Sequence, residues 1–247
     1  MLTSLADGRL LAEKTGATPP AVFALHGWQR TGNDFGRIVD GLDAVAPNFP
    51  GASPAAEPPT EVWGSPEYAE LIADAIRPFG PVVIVAHSFG GRVAVHVAAQ
   101  YPELVRGLVL TGVPLLRLQA PPKAAIGYRV LKRLAALGLV SKARLDAERR
   151  KRGSADYNAA QGIVRDIFVK VVNEDYRDAM ARVTVPVRMV WGENDTSAPA
   201  DAGLAASKLI PDARFRVVPG AGHLLEGTLE TAVRHDLLEL LLEVDSQ

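Results

Sequence analysis

The 247-residue sequence has no cysteine. That excludes disulfides, thiol nucleophiles and thiolate metal sites. It also lacks a charge excess: 27 Lys+Arg stand against 28 Asp+Glu, a formal net charge of −1. Such a balance argues against a nucleic-acid partner for the whole chain. No apolar run reaches the roughly 18 residues that a membrane-spanning helix needs, so no transmembrane segment is expected. The start, Met1 to Gly8, has neither a basic beginning nor an apolar stretch of signal-peptide type. Together with the missing cysteines this sets the expectation of a cytoplasmic protein. No glycine-rich phosphate loop and no metal-ligand spacing occurs, so neither a cofactor nor a metal is expected. No internal repeat is visible. What the chain does have is 48% hydrophobic residues over a length that can bury one sizeable core.

One segment concentrates the chemistry: Val82-Val83-Ile84-Val85-Ala86-His87-Ser88-Phe89-Gly90-Gly91. Its apolar start reads as a strand of a parallel sheet buried on both faces. An Ala-rich helical stretch follows at once. A chain that reverses that sharply holds its central residue in a strained conformation and pushes the side chain out at the sheet's end. Small residues two positions either side, Ala86 and Gly90, let strand and helix approach. The pattern is A-x-S-x-G, with alanine in place of the first glycine of G-x-S-x-G. The plain alternative is a helix N-cap serine after a strand.

A serine nucleophile needs a histidine to take its proton and an acid to orient that histidine. Arg214 to Val218 alternates like a strand and runs into Pro219-Gly220-Ala221-Gly222-His223. Val187 to Trp191 reads as another strand, followed by Gly192-Glu193-Asn194-Asp195 and Pro199. In open parallel sheets, functional groups gather at the carboxyl ends of strands. A fourth strand, Ala21 to Leu25, ends in His26-Gly27-Trp28. Its loop is suited to donate a backbone N–H to an oxyanion.

These pieces span residues 21–223, nearly the whole chain. Taken together and in this order, the chain resembles the α/β-hydrolase superfamily. The resemblance implies an α/β-hydrolase fold, with a mostly parallel central sheet, helices on both faces and a small helical lid. It implies Ser88 as nucleophile, His223 as base and Asp195 as its acid, with the Trp28 and Phe89 N–H groups holding the oxyanion. Glu193 is the competing acid, two residues from Asp195, but the family pattern places its acid at Asp195. His26 and His87 belong to the turns around the site and, with Trp63 from the Pro-rich loop, are candidates for the substrate pocket. His96 reads as packed in a helix and His235 as facing water. Haloalkane dehalogenases and epoxide hydrolases of this fold use an aspartate nucleophile, which Ser88 replaces here. Asn48 stands where many relatives have an acid before the Pro-Gly turn.

The coarse order is a hairpin over about residues 2–14, a strand at 21–25, a helix near 33–42 and a short strand at 44–46. A helix near 66–77, the nucleophile strand and its helix to about 100, and a strand at 108–110 follow. After residue 183 come strand, helix, strand and a helix at roughly 226–244. Strands alternating with helices imply a parallel sheet covered on both sides. Residues 115–182 break the rhythm and read as a helical cap, which leaves 1–114 and 183–247 as the core of a single domain. The cap holds 15 Lys+Arg and 7 Asp+Glu, a net of +8, so the rest of the chain carries −9. Its densest patch is Arg149-Arg150-Lys151-Arg152, and Gly153 and Gly162 read as helix breaks. A solvated face is the plain reading of that charge; attraction of an anionic substrate, partner or lipid is the sharper one. Leu131, Leu134 and Leu137 recur at helical spacing; packing on the core is the plainer expectation, lining an acyl tunnel the other.

The function that follows is ester hydrolysis: a carboxylesterase acting on small, moderately apolar esters through an acyl-enzyme, with no cofactor. The fold supports other triad chemistries. C–C bond hydrolysis, acyl transfer and cofactor-free perhydrolysis remain open, as does a ligand sensor with negligible turnover. A C–C hydrolase needs a basic group near Ser88 for an acidic substrate; Arg92 serves if it faces the pocket, although an exposed helix residue is the plainer reading.

Overall fold

The computed structural model describes residues 1–17, 19–118, 131, 133–141, 144, 147–148 and 155–246. Eight strands form one sheet: β1 (Leu2–Leu5), β2 (Leu10–Thr15), β3 (Val22–Leu25), β4 (Ala44–Pro47), β5 (Val82–His87), β6 (Val105–Thr111), β7 (Val187–Gly192) and β8 (Ala213–Val218). Their spatial order is β1-β2-β4-β3-β5-β6-β7-β8. The pairs β1–β2 and β2–β4 are antiparallel, and every pair from β4–β3 to β7–β8 is parallel.

The apolar runs behave as doubly buried strands should. On β5, Val82, Ile84 and Ala86 point into one core, while Val83 and Val85 point into the other. The first core is roofed by α1 (Ser65–Ile76) and α2 (Phe89–Gln100). The second is covered by the C-terminal helix Gly227–Asp245, through Leu229, Val233, Leu237 and Leu240. Among the described residues, the excursion between β6 and β7 holds the helices α3 (Ala155–Ala159), α4 (Gly162–Val172) and α5 (Arg177–Ala181) and no strand. After β7 come α6 (Ala200–Ser207) and, past β8, the C-terminal helix as α7. Among the described residues no helix is long and apolar enough to cross a membrane.

Three expectations need correction or limits. The helix near 33–42 is only a 3-10 turn, Gly32–Phe35, followed by further turns. Gly32 lies against the backbone of Ala46, and Gly41 takes φ +77°. The crossover therefore hugs the sheet and buries Phe35, Ile38 and Val39 without a helix. Leu137 does not pack on the core: it is 72% exposed. The basic patch 149–152 and Gly153 lie outside the described residues.

Candidate active site

Ser88 joins β5 to α2 with φ 50° and ψ −114°. A non-glycine residue there costs on the order of 1–3 kcal/mol and persists only where its surroundings impose it. Here the Ser88 N–H donates to Thr111 O at 3.0 Å, and the Gly91 N–H donates to Ser88 O at 3.1 Å. Gly90 explains the close approach of helix and sheet. A Cβ at that position would stand 2.2 Å from Leu25 O and 2.7 Å from His26 O. Ala86 fits at the strand side because its small side chain lies fully buried in the first core.

The loop after β3 is held from beneath. His26 is fully buried; its Nδ1–H donates to Gly27 O at 2.7 Å, and its Nε2 accepts the Phe49 N–H at 3.0 Å. Those two bonds assign the neutral tautomer, and burial pushes its pKa down to about 4. Gln29 takes φ 54°, and its N–H donates to Ala52 O at 2.7 Å. Among the described residues, neither the Trp28 N–H nor the Phe89 N–H reaches a backbone acceptor. Both stay available to an oxyanion.

The acid and the histidine meet across two loops. His223 Nδ1–H donates to Asp195 Oδ2 at 2.7 Å. The other oxygen of Asp195 accepts the Ser197 and Ala198 N–H groups, both at 2.8 Å. The carboxylate is thus buried and saturated, and its orientation is fixed. Glu193, the competing acid, is exposed and accepts the Gly220 N–H at 2.8 Å, at the root of the His223 loop. Gly112, at φ +58°, packs against the pair: a Cβ there would meet His223 Nδ1 at 2.9 Å and Asp195 Oδ2 at 3.2 Å. This glycine escaped the sequence reading, although it follows an apolar strand just as Gly27 follows β3.

His87 lies behind the histidine. Its Nε2–H donates to the main-chain oxygen of His223 at 2.9 Å, and the two rings are 4.7 Å apart. Burial, reinforced by the neighbouring His223, pushes its pKa down to about 3, so the ring is neutral. Its Nδ1 is buried without a partner.

Ser88, His223, Trp28, Phe89, Phe168 and Leu224 all line one cavity of about 1210 Å³. His87 touches it as well, whereas His26 and Trp63, also expected at the pocket, do not. His26 supports the loop from below, and Trp63 packs edge-on to Tyr68 at 5.2 Å. Trp28 packs on Phe89 at 5.5 Å and on Phe168 of α4 at 5.1 Å, which joins the loop after β3 to the insertion. Among the described residues four arginines line the wall, Arg30, Arg92, Arg117 and Arg177; Arg30 is paired with Asp34 and Arg177 with Asp175. The cluster of potential metal ligands found among the described residues is His235, Asp236 and Glu239, none of them on the cavity wall. Asp236 there is held by Arg216.

Comparisons with known proteins agree with this architecture. Residues 22–231 match the alpha/beta hydrolase family. The chain is 29% identical over 207 residues to a 2-(acetamidomethylene)succinate hydrolase of Mesorhizobium japonicum, covering 76% of this chain and 74% of that protein. It is 26% identical to a pimeloyl-[acyl-carrier protein] methyl ester esterase of Aromatoleum aromaticum, covering 83% and 91% of the two chains. In three dimensions it superposes on a thermophilic esterase from Thermogutta terrifontis with a TM-score of 0.68 and 21% identity, over 99% of each chain. Because the family match runs from β3 into the C-terminal helix and the relatives are hydrolases, the chain belongs to the alpha/beta hydrolase family and is a hydrolase.

Proposed function

We propose that this enzyme hydrolyses carboxylic esters with Ser88 as nucleophile, His223 as general base and Asp195 as its orienting acid. The observation that carries the reading is the His223–Asp195 hydrogen bond on the cavity that Ser88 also lines. Because Nδ1 of His223 donates to Asp195, Nε2 keeps its lone pair for the Ser88 proton. As Oγ attacks the ester carbonyl, that proton moves to Nε2. The carbonyl oxygen becomes an oxyanion and accepts the Trp28 and Phe89 N–H groups. Asp195 stabilises the imidazolium without taking its proton. Collapse of the tetrahedral intermediate returns the proton to the departing alkoxide and leaves an acyl-serine. A water deprotonated by His223 then attacks that ester, and the acid is released.

The relatives support this class through a methyl ester esterase and a 2-(acetamidomethylene)succinate hydrolase, not through one substrate. Aromatic and aliphatic walls, with Phe89, Phe168 and Leu224 among them, favour a small, moderately apolar acyl or alcohol group. We read residues 115–182 as the cap over this cavity; Phe168 and Val171 of α4 contribute to its lining. The test is hydrolysis of p-nitrophenyl esters from acetyl to decanoyl by wild type and by Ser88→Ala. Turnover that disappears in the variant is expected. Turnover that survives in Ser88→Ala removes the mechanism.

A further inference from the structure

Both ends of the insertion converge on one side chain. Arg92 lies one helical turn after Ser88 in α2 and is only 8% exposed, so it is not the exposed helix residue expected from the sequence. Its Nε and Nη2 donate to Pro114 O at 3.2 and 2.9 Å, where the chain has just left β6. Its Nη1 donates to Val171 O at 3.1 Å, in the last turn of α4. Its Cζ stands 5.4 Å from the ring centre of Tyr176, immediately before α5.

A second tier continues from there. The Tyr176 hydroxyl is 2.8 Å from Glu174 Oε2 and 2.9 Å from Ser65 Oγ. Glu174 accepts the Ser65 N–H at 3.0 Å, at the start of α1. Lys170 of α4 pairs with Glu67 of α1 at 2.9 Å.

A buried guanidinium is a poor device for stability alone, because its desolvation opposes whatever it gains. Burial indeed lowers its pKa, opposed by the nearby Tyr176 and Glu174. The carbonyls at the C-terminal end of α4 carry the negative end of that helix dipole and so favour the cation. What three directed N–H bonds add is a single arrangement of entry strand, insertion helix and nucleophile helix.

We propose that Arg92 is a positioning residue that pins the insertion at both ends, so that α4 forms a fixed wall of the cavity rather than a swinging gate. Its effect on substrate choice rests on the ester-hydrolase reading above; the pinning itself does not. A carboxylate-binding role for Arg92 is disfavoured because three of its five N–H groups are bonded to main-chain carbonyls.

Arg92→Met keeps the bulk and removes the donors, Arg92→Lys keeps the charge, and Arg92→Ala opens a hole that ethylguanidinium fills. Amide hydrogen exchange across residues 162–172 is the first readout. In Arg92→Met it is expected to accelerate by about tenfold or more, with β5 and β6 unchanged. Arg92→Lys should fall between, and ethylguanidinium should restore protection to Arg92→Ala. The second readout is kinetic. KM for the octanoyl ester should rise about fivefold or more in Arg92→Met, with kcat for the acetyl ester within about twofold, since the proposal gives Arg92 no contact with the reacting atoms. Unchanged exchange in α4 of Arg92→Met overturns the pin. So does a loss confined to esters that carry a free carboxylate, which would make Arg92 a substrate contact. If Arg92→Met fails to fold, the Lys variant and the rescue of the Ala variant decide by the same exchange readout. If wild type hydrolyses no ester, the functional reading fails by itself and the exchange arm still decides the pin.

Discussion

Replacing Gly112 by alanine is expected to damage catalysis far more than stability. The added Cβ would stand 2.9 Å from His223 Nδ1 and 3.2 Å from Asp195 Oδ2. Such contacts settle near ~3.5 Å, so the ring must retreat by roughly 0.6 Å. That retreat pulls on the 2.7 Å bond to Asp195. A misplacement of about 1 Å costs on the order of 100-fold in rate, equivalent to about 2.7 kcal/mol of barrier. The positive φ of +58° adds about 1–2 kcal/mol of folding strain, or a few degrees in Tm for a chain of this size. Gly80→Ala supplies the control: φ is +86° there and a Cβ meets nothing within 4 Å. Steady-state ester hydrolysis and thermal melting of both variants separate strain from contact. The expected result is similar Tm losses in the two, with kcat lost only in Gly112→Ala and KM little moved. The double variant Gly112→Ala/Asp195→Asn should be scarcely slower than Asp195→Asn, because both act through one pair. A Gly112→Ala enzyme within about threefold of wild-type kcat, or losses that simply multiply in the double variant, would refute the argument.

Three further outcomes follow from the same site. His87→Gln retains an N–H donor for the His223 carbonyl and should keep kcat within about fivefold, whereas His87→Leu should lose about tenfold or more at similar Tm, measured by steady-state kinetics. Gly90→Ala forces a carbon to 2.2 Å from Leu25 O and should cost at least ~3 kcal/mol, read as a fallen urea midpoint or loss of soluble protein. Folding free energy should fall as pH drops from about 6.5 towards 4: the folded pKa values of His26 and His87 lie at about 4 and about 3, so the unfolded chain binds the extra protons first. Each histidine contributes on the order of 3 kcal/mol at neutral pH, and urea titrations at pH 7 and pH 4.5 should differ by several kcal/mol; equal values would contradict the buried neutral rings.

The legible parts of this fold are those written as short-range pattern. The apolar run 82–87 is β5, and the run 187–192 is β7. Glycine at a strand end marked the loops of Trp28, Asp195 and His223, because a close turn at a sheet edge leaves no room for a side chain. Gly112 carries the same mark, but no chemically reactive residue stands beside it to single it out. Turns replace the helix expected near 33–42 because Gly32 approaches the backbone of Ala46, a contact that only the assembled sheet reveals. The choice between an exposed Arg92 and one turned inward is not written in the sequence, because one arginine in a helix gives no sign of the carbonyls that meet it from residues 114 and 171.

The place of the insertion within the sheet has an evolutionary consequence. β6 and β7 are hydrogen-bonded neighbours, yet residues 112–186 separate them. The chain leaves at the carboxyl end of β6 and re-enters at the amino end of β7, so the excursion begins and ends on two strands that already pair side by side. Lengthening or recasting that excursion therefore rearranges no strand partner and leaves the Asp195 and His223 loops on their own side of the seam. On the proposed reading, a change of substrate range needs only that one excursion to be rebuilt, with the loops after β7 and β8 left in place. The toll on such drift is local: a new cassette must still offer carbonyls where Pro114 and Val171 now meet Arg92.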